Sequence, residues 1–67
     1  MKRNDNVLIK GYNPPLKGRV SDTYKVPTKH IQDPRLIKQY PDGVPIVEVI
    51  LENGKLQVCV EDGVEVI

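Results

Sequence analysis

Sixty-seven residues with a net charge of +1 allow one domain, residues 1–67, with one core that must be small. A single cysteine, Cys59, excludes an intrachain disulfide, and with the single histidine, His30, it is too few ligands for a structural zinc. No apolar run approaches the ~18 residues of a membrane span.

The charge is unevenly distributed. Residues 1–40 carry nine of the ten Lys/Arg against Asp5, Asp22 and Asp33, a balance of +6. Residues 41–67 carry Lys55 against Asp42, Glu48, Glu52, Glu61, Asp62 and Glu65, a balance of −5. In a barrel the halves interleave, so much of this asymmetry cancels in space. At the N-terminus, Met1-Lys2-Arg3 is followed by Asn4-Asp5-Asn6, where a secretory signal would turn apolar. A cytoplasmic location is the expectation, consistent with a lone thiol.

The first strand is expected over Asn6–Lys10, with Val7 and Ile9 on one face. Gly11-Tyr12-Asn13-Pro14-Pro15 follows as a loop, because consecutive prolines are extended and cannot donate to a ladder. Gly18 to Tyr24 reads as the second strand, with Val20 inward and Tyr24 on the same face.

Residues 25–44 form a long connection, which in a compact domain usually carries structure or function of its own. Asp33-Pro34 pairs an N-cap with proline at the first helical position, and Pro41 stops the segment, so a short helix is expected over 34–39. Leu36 and Ile37 would pack on the barrel, with Arg35 and Lys38 outside. Pro41-Asp42-Gly43 then turns the chain into the next strand.

Val44–Glu52 and Leu56–Val60 are rich in β-branched residues and flank Asn53-Gly54. A two-residue type I′ turn there places Leu51 opposite Leu56, Val49 opposite Val58 and Val47 opposite Val60, all on one face. Cys59 would then point outward beside Glu48, whose carboxylate would raise its pKa. The same test applied to Asp62-Gly63 pairs Val60 with charged Glu65, so Glu61–Gly63 is read as a 3₁₀ turn or bulge. The last strand, Val64–Ile67, would pair with the first.

The segment Val7-Leu8-Ile9, Gly11 and Leu16-Lys17-Gly18-Arg19-Val20 resembles the opening of a KOW-type SH3-like barrel, with an alternating apolar strand, a loop and a Gly-x-Val entry to the second strand. The resemblance covers residues 6–20. It implies a mainly β, five-stranded, partly open SH3-like barrel, and for KOW-like members contact with nucleic acid or with a transcription or translation machine.

No nucleophile, base and orienting partner come together in the sequence, and no phosphate loop or metal-ligand spacing is present. A non-enzymatic binding module with no cofactor and no metal is expected. Tyr12, Tyr24 and Tyr40 are the only aromatics, each at or beside a loop; as alternatives, Tyr24 and Tyr40 cap the barrel mouth. The leading expectation is an accessory or adaptor subunit that docks on an unidentified protein partner or larger complex through Tyr12, Pro14, Pro15, Tyr24, His30, Arg35 and Tyr40. The alternative is a nucleic-acid module using Lys10, Lys17, Arg19, Lys25, Lys29, Arg35 and Lys38.

Overall fold

The computed structural model describes Met1–Ile67 and contains five antiparallel strands: β1 (Asn6–Ile9), β2 (Leu16–Val26), β3 (Val44–Leu51), β4 (Leu56–Val60) and β5 (Val64–Val66). They form a single sheet in the order β4-β3-β2-β1-β5, open between β4 and β5. This is the mainly β, five-stranded, partly open arrangement expected, in which β1 to β4 run as a meander and β5 returns to β1. A 3₁₀ turn at Glu61–Gly63 carries the chain from β4 to β5, and Ile9 lies opposite Val64.

The core is aliphatic. Val7, Ile9, Val20, Val47, Val49 and Val64 are buried in one cluster, with Leu16, Leu51 and Cys59 packed against it. Only eight of the 67 residues are buried, so each core side chain carries a large share of a total stability of roughly 3–10 kcal/mol for a chain this short.

β2 serves both neighbours. Its first residues pair with β1, and from Gly18 onward it pairs with β3. Gly18 lies between Val7 and Leu51. A Cβ there would sit 2.5 Å from Val49 Cγ1 and 2.6 Å from the Ile50 carbonyl oxygen, so the close approach of β3 requires glycine.

A register shift between Val20 and Asp22 marks a β-bulge. The extra residue inverts the alternation of side chains beyond it. Val20 is buried as expected. Tyr24, however, lands on the outer face opposite Ile46 and is 41% exposed, which corrects the placement of both residues on one face. β2 also runs on to Val26, opposite Val44, so the connection spans 27–43 and not 25–44.

Within it, Thr28–His30 forms a 3₁₀ turn, and α1 spans Pro34–Gln39. The Asp33 carboxylate accepts the Arg35 backbone N–H at 2.9 Å, and Pro34 occupies the first turn, as the sequence indicates. Leu36 is half-buried and Ile37 is 37% exposed, and neither joins the core cluster, where both were expected to pack on the barrel.

The β3–β4 hairpin differs from expectation by one residue. Opposed residues are Ile46 with Val60, Val47 with Cys59, Glu48 with Val58, Val49 with Gln57 and Ile50 with Leu56. Asn53 does not have the positive φ a type I′ turn needs; Gly54 does, at +86°. The Gly54 N–H donates to the Leu51 carbonyl at 2.9 Å, and the Leu51 N–H donates to that of Lys55 at 2.8 Å. This is a three-residue loop, a type I turn followed by a left-handed glycine, further tied by the Asn53 side chain accepting the Lys55 N–H at 3.0 Å.

The shift leaves Val47 and Val49 buried as expected but inverts β4. Cys59 turns onto the core, while Leu56 and Val58 face outward, 54% and 55% exposed.

Candidate functional site

The loop between β1 and β2 and the turn between β3 and β4 lie at the same end of the sheet, because β2 is antiparallel to both neighbours. Between them is an open groove of about 560 Å³, with Leu8, Tyr12, Pro14, Pro15, Leu16 and Leu51 as its apolar lining and Lys17 and Glu52 at its rim. Gly11, at φ +94°, lets the chain leave β1 abruptly, and the loop bends at Tyr12–Pro14, with a cis Asn13–Pro14 peptide, where consecutive prolines alone suggest an extended run. Tyr12 is 47% exposed and so presents a ring to the groove and to solvent together.

Of the expected binding residues, this groove gathers Tyr12, Pro14 and Pro15. Tyr24, His30, Arg35 and Tyr40 do not line it. The Tyr24 hydroxyl donates to Glu48 Oε2 at 2.5 Å, and that bond chiefly holds its phenol above the ordinary value. Tyr40, the C-terminal cap of α1, donates to Asp62 Oδ2, which also accepts from the Gln39 amide at 3.2 Å. This bond likewise raises the Tyr40 phenol. Each tyrosine thus fastens one element to another: Tyr24 ties β2 to β3, and Tyr40 ties α1 to the 3₁₀ turn before β5.

His30 is exposed in the 3₁₀ turn at 28–30. Arg35 is turned back onto its own N-cap, with Nε 3.4 Å from Asp33 Oδ1. Backbone donation from Arg35, reinforced by its side chain, holds the Asp33 carboxyl below its ordinary value.

The basic residues do not form one set either. Lys17 and Arg19 project from one face of β2 and share a second groove, of about 660 Å³, with Asn6, Ile50 and Ile67. Lys10 follows β1, Lys25 lies near the end of β2, Lys29 in the 3₁₀ turn, and Arg35 and Lys38 on α1. All seven are exposed.

Cys59 pairs with Val47, so it does not stand outward beside Glu48. Its thiol is pushed up by burial and not by a neighbouring carboxylate. Sequence reasoning missed Leu8, Leu16 and Leu51 as groove residues. Only the fold brings them to the proline loop, although the apolar residue immediately after Pro14-Pro15 is a visible cue for Leu16.

Comparison with family models, with curated proteins and with solved structures returns no match for this chain. No helix is long and apolar enough to cross a membrane.

Proposed function

We propose that the protein is a non-enzymatic interaction module, an accessory or adaptor subunit that docks on a partner protein through the groove between the β1–β2 loop and the β3–β4 turn. The observation that carries this reading is the convergence of Tyr12, Pro14 and Pro15 with Leu8, Leu16 and Leu51 along one open groove. A lining of one aromatic ring, two prolines and three leucines suits an apolar segment of a partner chain, with Lys17 and Glu52 orienting its polar flanks.

The non-enzymatic part rests on placement. His30, Ser21 and Cys59 stand on the 3₁₀ turn at 28–30, on β2 and on β4, and the thiol's raised pKa lowers its nucleophilicity at neutral pH. The kinship with KOW-type barrels remains part of the proposal, supported by the glycine-bearing entry to β2 at Gly18 and the buried Val20 that follows. A cytoplasmic setting is proposed on the single free thiol.

Two measurements test the reading. Each phosphate neutralised on duplex DNA adds about −0.9 to the slope of log K against log salt. A docking groove predicts weak oligonucleotide binding with a slope shallower than about −2.5. Submicromolar binding at physiological salt with a slope near −3 or steeper would instead assign the basic residues to a nucleic acid. The full chain, used to co-purify its partner from native extract, should lose that partner on Tyr12→Ala more than on Lys17→Ala. The reverse order would move the docking surface off the groove.

A further inference from the structure

We propose that the free edge of β4 pairs antiparallel with the same edge of a second copy of this chain, about a two-fold axis through Val58. β4 is one of two sheet edges, and edges exposed to water are normally blunted by charge, proline or brevity. β5 follows that rule, with three residues and a central Glu65. β4 does not. Its five residues, Leu-Gln-Val-Cys-Val, contain no charge and no proline, and Leu56 and Val58 are more than half exposed.

The hydrogen bonding of the hairpin fixes which backbone groups are available. Leu51 and Lys55 are joined by a backbone bond, so in an antiparallel pair the bonded positions recur at Gln57 and Cys59. The N–H and C=O groups of Leu56, Val58 and Val60 therefore point away from β3, to the open edge.

A second β4 centred on Val58 satisfies all three residues at once. Val58 meets its own symmetry mate, and Leu56 meets Val60 of the other copy in both directions. Shifting the register by two residues loses at least one of these pairs. On the outer face the side chains of Leu56, Val58 and Val60 would cover their counterparts.

Charge complementarity selects this occupant. In the same register the residues flanking the strand also pair: Lys55 of one copy lies beside Glu61 of the other, twice by symmetry. Both residues are exposed, and neither takes part in an ion pair within the chain. The strand is thus self-complementary in backbone, apolar face and charge, as an isologous interface requires. It is separate from the groove that carries the proposed function.

The test is sedimentation velocity on the full chain from about 10 μM to 1 mM, the range suited to an interface smaller than the ~1,200 Å² of stable complexes. NMR amide exchange is measured alongside. A concentration-dependent dimer is expected, with amides of Leu56, Val58 and Val60 slowed as it forms. Lys55→Glu and Glu61→Lys should each weaken association roughly tenfold or more by placing like charges together. The double variant should restore it. Val58→Lys, at an exposed position that leaves the monomer's spectrum unchanged, should abolish it. A chain monomeric throughout the range, protection on β5 instead of β4, or a double variant no better than the singles would each overturn the proposal.

Discussion

β3 and β4 are built from the same kinds of residue and meet different ends. Val47 and Val49 of β3 are 1% and 0% exposed, whereas Leu56 and Val58 of β4 are more than half exposed. β3 has a strand on either side, and its inner face meets Val20 and Val7 in the core. β4 has one neighbour, and the parity of its side chains is set by a turn. Apolar and β-branched composition makes a strand, but burial is decided by the number of neighbours and by register. Where the two disagree, as in β4, apolar side chains are left facing water, and a surface for association is the consequence.

The largest effect that could sharpen this contrast lies at Gly18, beside β3. Gly18→Ala drives a Cβ to within 2.6 Å of the Ile50 carbonyl, and backbone cannot move aside as a flexible side chain can. A loss of about 3 kcal/mol, the upper end of overpacking costs, is expected in denaturant unfolding. A change below about 1 kcal/mol would show that β2 and β3 can separate without harm.

A direct test of the comparison is the pair Val49→Ala and Val58→Ala. The first removes buried methyl groups from a core of six side chains and should cost about 1–3 kcal/mol. The second trims an exposed side chain and should stay within about 0.5 kcal/mol for the monomer. Equal losses would mean that β4 faces the core through Val58, restoring the two-residue turn.

How much of this was legible in the sequence follows the range of the determining interactions. The helix at 34–39 was readable because Asp33, Pro34 and Pro41 act within a turn of their own positions. The return of β5 to β1 was readable because pairing Val60 with Glu65 is energetically unreasonable. The face of β4 was not, since Asn53-Gly54 suits two turns that differ by one loop residue. The choice rests on the sign of one φ at Asn53, which residue identity leaves open. The bulge after Val20 has no glycine or proline to announce it, and strict alternation therefore puts Tyr24 on the wrong face. At the groove, Tyr12, Pro14 and Pro15 were conspicuous in a loop, while Leu8, Leu16 and Leu51 look like ordinary strand residues until the register brings them together.

The smallest expected effect separates the two ties on either side of the same contrast: Tyr24 to Glu48 within β2–β3, and Tyr40 to Asp62 beyond β4. Both phenols have pKa values raised in the folded chain, first by donating to a carboxylate. The unfolded chain loses these protons near pH 10 while the folded chain still holds them. The folded state then binds more protons, and stability falls as pH rises from about 10 through the folded values. Below that range the contribution is fully present. The informative quantity is the difference between wild type and variant, in which whatever the two share cancels. Tyr24→Phe and Tyr40→Phe should each flatten the alkaline decline in urea midpoint while leaving the neutral-pH fold intact. Tyr40→Phe should also raise amide exchange in α1, because its hydroxyl and Gln39 both reach Asp62, whereas β2 and β3 retain their ladder without Tyr24. An alkaline decline unchanged in both variants would mean that neither hydroxyl keeps its carboxylate partner in solution.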